Sequence, residues 1–158
     1  MTIRRGTPAD VPRALEIWRA AVDATHGFLS PDDRVEIDAM VARDFLPQAE
    51  LWLAVDAADR ATGFLVMDGD MIDALFVDPT VHGQGIGTRL LDHALSLGAV
   101  RVEASEQADN ALPFYLARGF QITGRSATDP QGRPYPLVEL HLRAEDRLPS
   151  RPGTTVSK

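Results

Sequence analysis

A glycine-rich segment in the middle of the chain has residues suited to binding a phosphate group. Gly83, Gly85 and Gly87 alternate between an apolar run that ends at Val77 and a helical pattern that begins at Gly87. Glycine lets backbone N–H groups approach a ligand closely, and the start of a helix carries a partial positive charge. Free amides at this position would bind a diphosphate. The same glycines could also serve a tight strand-to-helix turn without any ligand.

The spacing of these glycines argues against two common nucleotide sites. A Walker-type loop needs a Gly-Lys-Ser/Thr sequence, which this segment lacks. A Rossmann fingerprint would follow the first strand of a βαβ unit, whereas this loop comes after several predicted strands. ATP and NAD are therefore disfavoured as ligands.

Hydrophobic periodicity predicts the elements that must position this loop. Apolar runs predict strands over Thr2–Arg5, 51–56, 62–67, Met71–Val77, 100–104, 120–125 and 135–143. Helical spacing predicts helices that begin near Asp10 and Pro31, and further helices over 87–97 and 110–118. The order β-α-α-β-β-β-α-β-α-β-β predicts an α/β fold, with a mixed sheet and helices on both faces. The strand–helix–strand unit of the second half should be parallel and right-handed.

The composition predicts a single soluble domain. The chain has 158 residues, of which 44% are hydrophobic and 25% charged, as in ordinary globular proteins. Residues 1–143 should form the domain, and the polar residues 144–158 a flexible tail. With no cysteine, the chain has neither a thiolate nucleophile nor a cysteine-bound metal, and no metal site is expected.

Charge and hydropathy restrict the expected partners and location. The formal net charge of −7 argues against nucleic-acid binding, which depends on a basic surface. No apolar run resembles a signal peptide or reaches membrane-spanning length. A cytoplasmic protein without a nucleic-acid or membrane partner is expected, as a monomer or homodimer.

Two motifs in the second half resemble those of the GNAT acetyltransferases. The segment from Leu75 to Leu91 resembles their acyl-CoA motif, Arg/Gln-x-x-Gly-x-Gly/Ala, although His82 stands where the family usually has Arg or Gln. Asn110 and the residues 114–120, Phe-Tyr-Leu-Ala-Arg-Gly-Phe, match a second family pattern. Segments 22–26, 28–30 and 132–137 resemble a narrower group, the bacterial YjaB-type acetyltransferases. The resemblance implies a GNAT-like, mostly antiparallel central sheet and acetyl transfer from acetyl-CoA to an amine.

The resemblance also implies where acetyl-CoA binds. In such enzymes the strand before the glycine loop splays from its neighbour, and the pantetheine arm fills the gap. The loop amides then bind the diphosphate, and two arginines are candidates for the other phosphates. The implied acetyl-CoA contacts are Leu75, Phe76, Val77, His82, Gly83, Gln84, Gly85, Ile86, Gly87, Thr88, Arg89, Asn110 and Arg118.

Tyr115 matches the family's general acid, which protonates the departing thiolate of coenzyme A. The general base that takes a proton from the incoming ammonium is left open between Asp73, His26 and Glu103. His26 should also line the acceptor pocket, together with Phe28 and Tyr135. For each of these side chains a purely structural role remains an alternative.

The absence of cysteine favours direct attack in a ternary complex over a covalent thioester intermediate. Two classes of acceptor stay open, protein lysine side chains and small amines or aromatic metabolites. A different alternative is a non-catalytic acyl-CoA sensor of the same fold that regulates a partner protein.

Overall fold

The computed structural model describes residues 1–81 and 83–147, and within them a seven-stranded sheet forms the centre of the protein. The strands are β1 (Thr2–Arg5), β2 (Leu51–Val55), β3 (Ala61–Asp68), β4 (Met71–Val77), β5 (Arg101–Ser105), β6 (Phe120–Ser126) and β7 (Leu137–Leu142). They lie in the order β1-β2-β3-β4-β5-β7-β6. The β4–β5 pair is parallel, and the other five pairs are antiparallel. This arrangement confirms the predicted mixed, mostly antiparallel sheet.

Four α-helices occupy the positions that the sequence predicts. They are α1 (Val11–Thr25), α2 (Pro31–Met40), α3 (Ile86–Ser96) and α4 (Ala111–Leu116). Ser30 caps α2, since its hydroxyl accepts a hydrogen bond from the Asp33 amide at 3.2 Å. The chain stays helical after α2, through a π-helical segment (Val41–Phe45) and a 3-10 turn (Leu46–Gln48).

The sheet separates two hydrophobic cores. Ile17 of α1 packs with Phe64 of β3 on one face. On the other face Leu90 of α3 packs with the next residue of β3, Leu65. Successive strand residues point to opposite faces, so β3 contributes to both cores. All four side chains are fully buried, and each such burial contributes about 1.5–3 kcal/mol.

A β-bulge at Asp73 interrupts the pairing of β4 with β3. Ala74 pairs with Val66 and Ile72 pairs with Met67, so Asp73 has no partner across the ladder. A bulge bends its strand and increases its twist. On its other edge β4 pairs with β5 only at its first two residues. Beyond Ile72 the two central strands diverge and leave a gap.

The predicted tail begins with residues that pack on the domain. Residues Ala144–Asp146 form a 3-10 turn, held by an ion pair between Arg143 and Asp146 at 2.9 Å. The Arg147 side chain donates a hydrogen bond to the Leu142 carbonyl at 3.2 Å. Residues 144–147 thus contact the end of β7, and the rest of the predicted tail lies outside the described residues. In the described part of the chain, no helix has the length and apolar character to cross a membrane.

Candidate active site

A cavity of about 570 Å³ occupies the gap between β4 and β5. The C-terminal end of α1, the first turn of α3 and helix α4 complete its wall. Of the residues with predicted catalytic or acceptor roles, His26, Asp73 and Tyr115 line it, as does Glu103. Side chains separated by up to 89 positions in the sequence thus meet in one cavity.

The edge of β4 that faces the cavity lacks a pairing strand beyond Ile72. Leu75, Phe76 and Val77 line the cavity there, and within the described residues no ladder pair joins them to β5. The backbone N–H and C=O groups of an unpaired strand edge are available for hydrogen bonds. An extended ligand that carries amide groups, such as a pantetheine arm, therefore fits this edge.

The glycine loop leads into α3 at one end of the cavity. Gly83 and Gly85 have φ angles of 85° and 77°, which glycine adopts without strain. Helix α3 begins where the Arg89 amide donates to the Gly85 carbonyl at 3.0 Å. Among the described residues, the amides of Gly87 and Thr88 have no backbone acceptor, as expected in a first helical turn. These donors can bind an anion, and His82 lies outside the described residues.

Asp78, which sequence analysis did not single out, anchors the chain between β4 and the loop. Its carboxylate accepts hydrogen bonds from the Thr80 amide at 3.0 Å and from the Thr80 hydroxyl at 2.9 Å. It also forms an ion pair with Arg13 of α1 at 2.7 Å. Burial raises the pKa of Asp78, but the bonds from Thr80 and Arg13 outweigh it and hold the pKa below its ordinary value. The local sequence Asp-Pro-Thr predicts a turn. It could not predict the ion pair, because the partner Arg13 is far away in the chain.

Tyr115 presents its ring to the cavity from α4. The residue is 5% exposed, and its ring contacts those of Phe114 and Phe120 at centroid distances of 5.1 and 5.4 Å. Burial raises the pKa of the hydroxyl well above its ordinary value, so the group stays protonated at neutral pH. Within the described part of the chain the hydroxyl makes no side-chain hydrogen bond. It is therefore free to donate to a ligand.

His26 lies at the C-terminal end of α1, and its Nδ1 atom contacts a threonine hydroxyl. The Thr25 hydroxyl donates its proton to the Ala21 carbonyl at 2.8 Å, and the same oxygen lies 2.6 Å from Nδ1 of His26. When the hydroxyl gives its single proton to this carbonyl, the contact with His26 is completed by a hydrogen on Nδ1, an assignment that leaves the lone pair on Nε2. Burial lowers the pKa of His26, which favours this neutral form.

Two carboxylates, Asp73 and Glu103, make the β4–β5 end of the cavity acidic. Burial raises the pKa of Asp73, and the negative charges of Asp68 and Glu103 raise it further. Within the described residues, Asp73 and Glu103 form no ion pair. A cation bound at this end of the cavity would relieve their repulsion.

Phe28 and Tyr135 do not form the cavity wall and instead pack behind His26. The Phe28 ring lies 5.1 Å from the His26 ring and 6.0 Å from the Tyr135 ring. The Tyr135 hydroxyl donates to Asp33 at 2.5 Å and accepts from the Ser30 amide at 3.1 Å. The hairpin that contains Tyr135 is thereby attached to the start of α2. The two aromatic residues thus support the loop that carries His26.

The predicted arginine ligands differ in their positions. Arg118 reaches the start of α3, donates to the Thr88 hydroxyl at 2.7 Å and stacks 4.0 Å above the Phe114 ring. Arg89 is exposed, and its guanidinium lies 3.4 Å from the Met1 carbonyl, on the side of α3 near β1. Of the two side chains, that of Arg118 contacts Phe114 of the cavity wall, whereas that of Arg89 points towards Met1.

Asn110 lines the cavity and precedes α4, but its side chain does not cap the helix. No capping hydrogen bond is made, because its φ and ψ angles of −97° and −34° are helical rather than the extended values typical of a capping residue. The side chain is thus not used by the helix.

Ser105, at the end of β5, was missed by sequence analysis. Its hydroxyl oxygen is buried at the cavity wall and has no hydrogen-bond partner in the described structure. Buried polar groups normally have partners, so this hydroxyl fits a ligand that supplies one. A small polar residue that directly follows the predicted strand 100–104, two positions after Glu103, is a weak signal that could have pointed to it.

Comparisons with known proteins agree with this geometry. The profile described as an acetyltransferase (GNAT) domain matches residues 47–122. A peptidyl-lysine N-acetyltransferase, YjaB of Salmonella typhimurium strain LT2, is 46% identical over 141 residues, covering 89% of this chain and 97% of the relative. YjaB of Escherichia coli strain K12 is 44% identical, with 89% and 95% covered.

Solved structures share the fold. The solution structure of apo-form YjaB from Escherichia coli matches with a TM-score of 0.83 and 43% identity, covering 89% of this chain and 95% of that one. A PaiA N-acetyltransferase from Thermoplasma acidophilum, solved in complex with coenzyme A, matches with a TM-score of 0.67 and 19% identity, with 87% and 96% covered.

Proposed function

The chain belongs to the GNAT acetyltransferases and transfers an acetyl group from acetyl-CoA to an amine, and we propose that the amine is a lysine side chain of a protein. The observation that carries the proposal is the pair of carboxylates, Asp73 and Glu103, at one end of the cavity. They suit a cationic acceptor and disfavour an anionic one. The names of the YjaB relatives, peptidyl-lysine N-acetyltransferases, support the same acceptor class.

The residues of the cavity fit acetyl-CoA, which supplies the acetyl thioester when bound. The free backbone edge at Leu75, Phe76 and Val77 would hold the pantetheine arm, and the buried Ser105 hydroxyl offers a further hydrogen bond. The first-turn amides of α3 and the guanidinium of Arg118 would hold phosphates. Apart from Arg118, which also donates to the Thr88 hydroxyl, these groups have no hydrogen-bond partner among the described residues.

We propose His26 as the general base and Asp73 as a group that binds the lysine ammonium. Nε2 of His26 has a free lone pair, and the neutral form is favoured by burial. It would take one proton from the ammonium, after which the neutral amine attacks the thioester carbon. His26 later releases this proton to water, which leaves the base ready for the next turnover.

Tyr115 would act as the general acid in this scheme. Its protonated hydroxyl donates a proton to the sulfur as the carbon–sulfur bond breaks, and coenzyme A leaves as the thiol. The second proton of the amine, lost as the amide forms, restores the tyrosine. One acetyl group moves per turnover, and one proton reaches the solvent.

The alternative of a non-catalytic acyl-CoA sensor is not favoured, since the relatives are named as acetyltransferases. A cytoplasmic location and a monomeric or dimeric state stay predictions.

An acceptor screen that follows the release of coenzyme A tests the proposed acceptor. Lysine peptides, the same peptides with the side-chain amine blocked, free amino acids, small amines and aromatic acids are compared at equal concentration. We expect the highest kcat/KM for peptides with a free lysine side chain, and none for the blocked peptides. A small amine or an aromatic acid that exceeds every lysine peptide would overturn the proposed acceptor while leaving acetyl transfer intact.

A further inference from the structure

A second depression on the surface adjoins the acetyl-transfer cavity. It has a volume of about 270 Å³ and lies where the segment after α2 passes the end of β3. Asp73, the bulge residue of β4, lines both this groove and the cavity. A chain whose lysine side chain enters the cavity beside Asp73 could therefore continue directly into the groove.

The groove, here called the acidic groove, has four carboxylates in its wall. They belong to Asp44, Glu50, Asp68 and Asp73, and among the described residues no arginine, lysine or histidine lines it. Phe45 and Met67 provide apolar surface between them. Such a wall matches an extended peptide that bears a positively charged side chain with an aliphatic stem.

The ion pairs of the protein leave part of this negative charge uncompensated. Glu50 pairs with Arg5 at 2.7 Å, and Asp44 contacts the neighbouring Arg43 at 3.3 Å. Asp68 and Asp73 form no ion pair within the described residues. The raised pKa of Asp73, to which the charge of Asp68 contributes, agrees with a local excess of negative charge.

We propose that the acidic groove binds the segment next to the acceptor lysine and selects protein substrates with a second cationic residue in that segment. This inference rests on the proposed function, because it presupposes a lysine acceptor in the cavity. Consecutive residues of an extended peptide are about 3.3 Å apart, so a flanking arginine or lysine within a few positions of the acceptor can reach Asp68.

Peptides of one length test this selection, with a single acceptor lysine flanked by arginine, by glutamine or by glutamate on either side. The wild-type protein should acetylate the arginine-flanked peptide with a kcat/KM about 10-fold above that of the glutamate-flanked one. The preference should decrease as salt is added, since salt screens exposed charges.

Variants of Asp68 locate the selection in the groove. Asp68→Asn should reduce the preference about 2- to 5-fold, the range expected for one exposed charge pair, and Asp68→Arg should favour the glutamate-flanked peptide. Asp92→Asn is the matched control, because Asp92 is exposed on α3, outside the groove, and should leave the preference unchanged. Both positions are on the surface, so thermal unfolding should confirm that each variant folds.

The possible outcomes separate this inference from the proposed function. Acetylation of all peptides without regard to the flanking charge, or a preference that Asp68→Arg leaves unaltered, overturns the acidic groove alone. If no lysine peptide is acetylated although small amines are, the proposed lysine acceptor fails, and the groove proposal fails with it. Loss of preference in Asp92→Asn would show that total charge, and not the groove, decides the selection.

Discussion

At the scale of single residues, the tautomer of His26 decides which atom can act as a base. The hydrogen bond from Thr25 to the Ala21 carbonyl favours the tautomer of His26 with its proton on Nδ1. Nε2 is then unprotonated without any ligand being present. Asp73, the competing candidate, has its pKa raised by burial and by the charges of Asp68 and Glu103, and in the proposed scheme it binds the lysine ammonium.

The choice between His26 and Asp73 predicts a difference in pH profile. The reactive form of His26 is neutral, so kcat should rise with pH through its pKa, which burial places below the ordinary 6.5. His26→Ala should lower kcat by about 10²-fold and remove this acidic limb. Asp73→Asn should raise the KM of the lysine peptide and keep the limb. The pH dependence of kcat is measured for each variant between acidic and neutral pH. If Asp73→Asn removed the acidic limb and His26→Ala did not, the assignment of His26 as the base would be contradicted.

The chain contains two tyrosines, which allows a matched test of the general acid. Tyr115→Phe removes a buried hydroxyl at the cavity and should lower kcat about 10²-fold or more, with acetyl-CoA affinity retained. Tyr135→Phe removes a hydroxyl bonded to Asp33 and to the Ser30 amide. It should cost about 1 kcal/mol of stability with a much smaller effect on kcat. Equal kcat in the wild type and in Tyr115→Phe would assign the proton donor elsewhere.

At the scale of secondary-structure elements, the bulge in β4 lies where β4 and β5 stop pairing. The sequence Ile72, Asp73, Ala74 reads as an uninterrupted strand, and the strand Met71–Val77 was predicted with the bounds that the structure has. The extra residue at Asp73 becomes visible only when β4 is paired with β3. The strand could therefore be predicted from local periodicity, whereas its bulge and its divergence from β5 could not.

The same distinction holds for the other parts of the site. The glycine loop, α3 and the helix that carries Tyr115 have local patterns that predict them. The Arg13–Asp78 ion pair and the Tyr135–Asp33 hydrogen bond join residues that are far apart in the chain, and no short pattern encodes such pairs. The missing cap at Asn110 shows that a residue type suited to capping does not fix the backbone conformation that capping needs.

The pair of helices that carries His26 depends on Asp38. Its carboxylate accepts from Arg19 of α1 at 2.7 Å and from Arg34 of α2 at 2.9 Å. These bonds, chiefly that from Arg19, hold the pKa of Asp38 at about 2, below the ordinary 3.8. A carboxylate with a lowered pKa stabilises the fold above its unfolded pKa, and this stability is lost as pH falls through the folded value.

Asp38→Asn should therefore lower the free energy of unfolding at neutral pH, and this loss should be smaller at acidic pH. We expect a loss of about 1 kcal/mol, since the group is partly solvated and salt bridges of this kind are weak, with a melting temperature lower by about 2–4 °C. The difference from the wild type should shrink as pH falls from about 4 towards about 2 in thermal unfolding scans. Asp92→Asn, which removes an exposed carboxylate without an ion pair in the described structure, is the control. A difference that persists unchanged in acid would contradict the role given to the ion pairs.

At the scale of the whole molecule, the charge distribution separates the two substrates. The net charge of −7 repels the phosphates of acetyl-CoA. In the proposed scheme, the first-turn amides of α3 and Arg118 offset this repulsion locally. The same charge attracts a basic protein surface over distances of about one Debye length. In the proposed scheme the donor's phosphates bind at the start of α3, and the acceptor binds at the acidic end of the cavity.

A single-turnover experiment tests most directly that this cavity passes acetyl from acetyl-CoA straight to lysine. The protein is mixed with isotopically labelled acetyl-CoA and a lysine peptide, and both protein and peptide are followed by mass spectrometry. The chain contains no cysteine and one lysine, Lys158. We predict labelled acetyl on the peptide lysine side chain, in an amount equal to the coenzyme A released, and none on the protein at any time. Labelled acetyl on the protein before the peptide, or binding of acetyl-CoA without any transfer to lysine, would contradict it.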